Sequence, residues 1–68
     1  MGDTLIISDP RIMVGKPVIK GTRITVEHIL TELANSLTVK QILIEYPYLT
    51  RQDVQATLRF AAKISGRN

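Results

Sequence analysis

Arg51, Gln52 and Gln55 stand within one short stretch, and Arg59 and Lys63 follow at further steps of four. The planar fork of arginine matches the guanine edge, and the amide of glutamine matches adenine, each by two parallel hydrogen bonds. At the start of a helix these side chains suit base reading in the major groove, with Arg59 and Lys63 placed for phosphates. Thr50 just before them carries a hydroxyl that can cap the helix or touch DNA. The plainer reading of the same stretch is the solvent face of an amphipathic helix. A second basic set, Arg11, Lys16, Lys20 and Arg23, follows in sequence with no acid between its members. It offers positive charge to a polyanion or an acidic protein surface. Phe60 lies off the apolar stripe of its helix and suits either added core or a protein interface.

Other chemistry is poorly supplied. The chain has no cysteine and one histidine, His28, so cysteine-based metal sites are excluded and other metal cages are not expected. Gly15-Lys16-Pro17 is only a fragment of a phosphate loop, and it leads towards a strand. His28 reads as a surface or boundary histidine, and Asp53 as a capping acid in place of a general base. The expectation is a protein without catalytic residues, metal or cofactor.

These side chains need elements to hold them. Val39, Ile42, Leu43 and Tyr46 share one helical face, and Val54, Leu58, Ala61 and Ala62 share another. Pro47 stops the earlier helix near Glu45 or Tyr46. A short helix, a tight turn and a longer helix are the skeleton of a helix-turn-helix. A further helix over Val26 to about Asn35 carries the stripe Val26, Ile29, Leu30, Leu33 and Leu37. Asn35-Ser36 should end it, with Asn35 taking the left-handed C-cap conformation.

Thr25, Thr38 and Thr50 each precede a helix. Each follows an apolar residue (Ile24, Leu37, Leu49), and each has another four positions on (Ile29, Ile42, Val54). That spacing is a hydrophobic staple at every helix start. Gln41 completes a capping box with Thr38, and Asp53 a looser one with Thr50.

Before the helices, Leu5–Ile7 is a β-prone run closed by Ser8-Asp9-Pro10. Lys20-Gly21 reads as a two-residue turn pairing Val18-Ile19 with Thr22-Arg23-Ile24, with Leu5–Ile7 alongside. Pro17 belongs at a strand start or an edge. Arg23 is placed to tie this β-element to a helix end or a carboxylate.

At 68 residues, 44% hydrophobic and 22% charged, with net charge +3, the composition is that of one small globular domain. Such a domain buries only about 60% of its unfolded surface, so dimerisation is an economical way to add burial. The interface would use the N-terminal strands or the Phe60 side of the last helix. There is no apolar run long enough for a membrane span and no signal peptide, so the expected location is cytoplasmic.

The segments Ile7-Ser8-Asp9-Pro10, Gly15-Lys16-Pro17-Val18-Ile19-Lys20-Gly21-Thr22-Arg23-Ile24, Glu45-Tyr46-Pro47 and Leu49-Thr50 resemble the bacterial family of domain of unknown function 433. The likeness covers nearly the whole chain, and the glycine-bounded segment is its signature. It implies a helix-turn-helix domain with an N-terminal β-element. It also implies an antitoxin of a type II toxin–antitoxin pair, binding a PIN-like ribonuclease toxin and repressing its own operon. Family members often carry glycine where Ser36 stands. The chain runs only briefly beyond its last helix, so neutralisation would fall to the folded domain or the β-element.

The sequence reading is thus a mainly α, three-helix helix-turn-helix domain of the winged-helix or homeodomain-like kind. The β-element occupies 1–25 and the helices 26–64 of a single domain, 1–68. Thr50, Arg51, Gln52, Gln55, Arg59 and Lys63 are the DNA-contact candidates, and Arg11, Lys16, Lys20, Arg23 and Phe60 the partner-contact candidates. The expected partners are a second copy, a PIN-like nuclease toxin and operator DNA, with no membrane. The alternative is a protein-binding or dimerisation module that does not touch DNA.

Overall fold

The computed structural model describes residues 5–65. Two short strands, β1 (Ile6–Ile7) and β2 (Val18–Ile19), are followed by three helices: α1 (Val26–Ala34), α2 (Val39–Glu45) and α3 (Arg51–Ser65). β1 and β2 pair antiparallel, with Ile6 opposite Ile19 and Ile7 opposite Val18. Pro17 stands immediately before β2, where its missing N–H leaves no gap in the ladder.

The turn after β2 has Lys20 and Gly21 at its centre. The Thr22 N–H donates to the Ile19 carbonyl at 3.0 Å, and Gly21 sits at φ +83°. A positive φ at the third turn position is the type II pattern, which glycine adopts without a Cβ clash. The chain then returns, but not as a regular strand. One bridge pairs Val18 with Thr25, and the Ile19 N–H reaches the Ile24 carbonyl at 2.9 Å. The reason lies in Thr22: its hydroxyl donates to the Ile19 carbonyl at 2.8 Å and accepts from the Ile24 N–H at 3.0 Å. That side chain substitutes for ladder bonds over the first half of the return.

All three helix starts use their threonine. Thr25 Oγ1 accepts from the His28 N–H at 3.0 Å. Thr38 and Gln41 form a reciprocal capping box at 3.1 and 2.8 Å. Thr50 and Asp53 do the same at 3.1 and 2.9 Å, so the last box is as complete as the second. The staple residues Ile29, Ile42 and Val54 are buried and join Ile19 and Leu49 in the hydrophobic core, with Ile24 and Leu37 against it. The three capping turns therefore also build the core.

α1 ends at Ala34, and the left-handed residue that closes it falls one position later than the sequence predicts. Asn35 is the C-cap at φ −90°, and Ser36 takes the left-handed conformation at φ +74°. The Leu37 N–H bonds the Glu32 carbonyl and the Ser36 N–H bonds the Leu33 carbonyl, both at 3.1 Å. This is a Schellman motif, in which the residue after the C-cap, not the C-cap itself, is left-handed.

The apolar stripe read for α3 is also corrected. Val54 is buried, but Leu58 is 44% exposed and Ala62 is exposed, while Ala56 and Thr57 are fully buried. Thr57 can face the core because its hydroxyl donates back to the Asp53 carbonyl at 3.1 Å. Ala56, with no side chain beyond Cβ, allows close approach of neighbouring backbone.

Candidate nucleic-acid interface

α3 follows α2 across the five residues Tyr46–Thr50, with the Leu49 N–H bonded to the Tyr46 carbonyl at 2.9 Å. Thr50, Arg51, Gln52, Gln55, Arg59 and Lys63 are all exposed. At about 100° per residue, Arg51, Gln55, Arg59, Gln52 and Lys63 fall within an arc of about 120° around the α3 axis. Val54, Thr57 and Ala61 lie on the opposite side, against the body of the protein. Arg51, Gln52 and Gln55 are held by no side-chain hydrogen bond or ion pair among the described residues. Thr50 is already engaged as a cap, which leaves its hydroxyl hydrogen and one lone pair to offer elsewhere. Asp53 is half-buried within its box, its Oδ2 accepting from the Thr50 N–H.

The N-terminal basic residues do not form one uniform patch. Arg11 grips Asp9 with two bonds, Nε to Oδ1 at 3.1 Å and Nη2 to Oδ2 at 2.9 Å. That guanidinium holds the Asp9 carboxyl below its usual range. Lys16 pairs with Glu27 on α1 at 3.3 Å. Lys20 and Arg23 are exposed and form no such pair among the described residues, so the tie expected of Arg23 is not made. Arg23 instead borders two clefts: one of about 620 Å³ with Ile12, Thr22 and Tyr48, and one of about 280 Å³ with Met13, Thr25, His28 and Tyr46. Phe60 is half-buried and meets Lys16 at a third, apolar cleft between α1 and α3. Arg67, a further base after Arg51, Arg59 and Lys63 in sequence, lies outside the described residues.

One polar cluster escapes the sequence reading. His28 Nε2 lies 2.7 Å from the Tyr46 hydroxyl and 3.5 Å from Glu32 Oε2. Glu32 Oε1 is buried with no hydrogen-bond partner. Burial first, and the Glu45 carboxylate next, push the Glu32 carboxyl above its ordinary value. A proton held there can bridge the two carboxyls, which two carboxylates cannot do. Burial and the same acids raise the Tyr46 phenol as well. The i,i+4 spacing of His28 and Glu32 is visible in the sequence, but the approach of Tyr46 and Glu45 depends on how α2 crosses α1. Among the described residues no group of three or more acids and histidines is disposed to hold a metal ion.

The arrangement is that of a small, mainly helical domain with three helices and a two-stranded antiparallel sheet, presenting one basic and amide-rich helix face. Residues 6–61 match the family described as "protein of unknown function (DUF433)", and the chain belongs to that family. It is similar to the crystal structure of a DUF433 member protein from Anabaena variabilis, with a TM-score of 0.86 and 26% identity. The match covers 90% of this chain and 60% of that one, so this chain spans less than two thirds of its relative's length. No curated protein matches the chain. No helix among the described residues is long and apolar enough to cross a membrane.

Proposed function

We propose that this protein is a helix-turn-helix DNA-binding regulator, acting as the antitoxin and operon repressor of a type II toxin–antitoxin pair. The observation that carries the DNA part is the start of α3. Arg51, Gln52 and Gln55 are exposed, uncommitted and on one side of a firmly capped helix that follows a short turn from α2. That is where a recognition helix presents its base-reading side chains. Arg59 and Lys63 continue the same face towards the phosphates. In this reading the protein binds DNA as a homodimer, performs no catalysis, and needs no cofactor.

The antitoxin part rests on the family resemblance, with a PIN-like nuclease as the neutralised partner. Lys20 and Arg23 carry the attraction for its acidic surface, since Arg11 and Lys16 already have carboxylate partners. The test is a titration of the DNA upstream of the protein's own gene against a scrambled duplex at two salt concentrations. Tighter binding to the natural fragment at both salts supports the reading. Equal affinity for the two fragments, or no binding at low salt, ends it.

A further inference from the structure

The face between α1 and α3 is unfinished. A cleft of about 550 Å³ runs between Val26, Leu30 and Ala34 on one helix and Phe60, Ala61 and Ile64 on the other. On α1 these positions recur at steps of four, and on α3 Phe60 and Ile64 do the same, so each helix contributes a ridge. Ile64 is 66% exposed. The buried cluster of Ile19, Ile29, Ile42, Leu49 and Val54 lies elsewhere, and at the cleft Val26 is buried while Leu30, Phe60 and Ala61 are half-buried. Around the α3 axis Phe60, Ile64 and Ala61 lie about 60–160° past Lys63, outside the Arg51–Lys63 arc.

The charge at the cleft says what fits it. Among the described residues its rim carries one base and one acid, Lys16 and Glu27, bonded to each other at 3.3 Å. A rim of that kind is neutral and self-complementary: a two-fold axis sets the Lys16 of one copy against the Glu27 of the next. A strongly acidic partner would instead call for uncompensated bases, and Arg23, which makes no ion pair among the described residues, borders other clefts. α1 spans about 13 Å and α3 about 22 Å, so the face presents on the order of 350 Å² per copy, below the standard size of specific interfaces and in keeping with a weak one.

We infer that the α1–α3 face is the docking surface for a second copy of this chain, forming a two-fold four-helix interface that dissociates in the micromolar range. The inference rests on the homodimer of the proposed function and gives it an interface; the α3 contacts alone do not depend on it, because a monomer can still lay α3 on DNA.

Sedimentation equilibrium of the whole chain over a wide concentration range tests it, alongside Leu30→Glu and the milder Ile64→Ser. Ile64 is already largely exposed, so its replacement leaves the fold in place, and circular dichroism checks both variants. The wild type should show a monomer–dimer equilibrium with a micromolar constant, and each folded variant should dissociate at least tenfold more readily. A wild type that stays monomeric at hundreds of micromolar overturns the inference, and so does undiminished dimerisation in Ile64→Ser. Promoter titration of Ile64→Ser separates the two proposals: lost dimerisation with a retained preference for the natural fragment over the scrambled duplex leaves the role of α3 standing.

Discussion

Val14 holds a left-handed backbone at φ +57° with its side chain 91% exposed, between Met13 at +50° and Gly15 at +83°. A β-branched residue there carries strain with no burial in return, at a cost of order 1–3 kcal/mol. Ser36, at φ +74° in the Schellman turn of α1, carries a smaller version of it. Val14→Gly and Ser36→Gly should each stabilise the fold by about 0.5–1 kcal/mol after glycine's own entropy is counted. Thermal unfolding should then shift up by a few degrees, roughly 4–8 °C per kcal/mol in a domain this small. Glu32 gives a pH signature. Its carboxyl is raised in the fold by burial and by Glu45, so the folded state keeps a proton that the unfolded state releases. Stability therefore falls as pH rises from about the ordinary value of 4.5 through the raised one. Glu32→Gln should unfold at higher temperature than wild type at pH 7, with the gain fading below the ordinary glutamate value. A gain that persists unchanged at pH 3 would show that the carboxyl is not its source.

Caps and staples decide the elements. The spacing Ile24-Thr25…Ile29, Leu37-Thr38…Ile42 and Leu49-Thr50…Val54 could be read directly, because capping is local and involves only neighbours in sequence. The same spacing named four of the five core residues, Ile19 being the exception. What could not be read was the rotation of α3. Thr57 looks polar in a sequence, yet its bond to the Asp53 carbonyl lets it enter the core, and Leu58 is displaced towards solvent. The return strand after Gly21 was blurred for a related reason, since Thr22 substitutes for its ladder. The candidate DNA residues were legible as exposed because they fall on one arc of a helix. The pairing of Arg11 with Asp9 was near in sequence, whereas that of Lys16 with Glu27 needed the fold. Thr38→Ala should cost about 1 kcal/mol by removing one reciprocal cap. Denaturant titration should show an earlier midpoint with an unchanged slope; a changed slope would mean that α2 itself has frayed.

For the whole molecule, the surfaces divide by face. The outer arc of α3 is basic and amide-rich, the α1–α3 cleft is apolar with a neutral rim, and Arg23 borders clefts beside Tyr46 and Tyr48. A dimer carrying one α3 per copy should meet half-sites about one helical turn apart, roughly 34–36 Å. Phosphate and base recognition on that face have separable signatures. Lys63→Ala should weaken binding to every sequence alike and lower the salt slope by about one for each phosphate that a protomer no longer neutralises. Arg51→Ala acts at the helix start, to which the proposal assigns specificity. The most direct measurement is therefore the ratio of affinities for the protein's own upstream fragment and a scrambled duplex, taken for wild type and Arg51→Ala under one salt condition. The substitution should lower affinity for the natural fragment by about 1–3 kcal/mol and leave the scrambled duplex nearly unaffected. Equal losses on both duplexes, or no loss on either, would contradict base reading by α3.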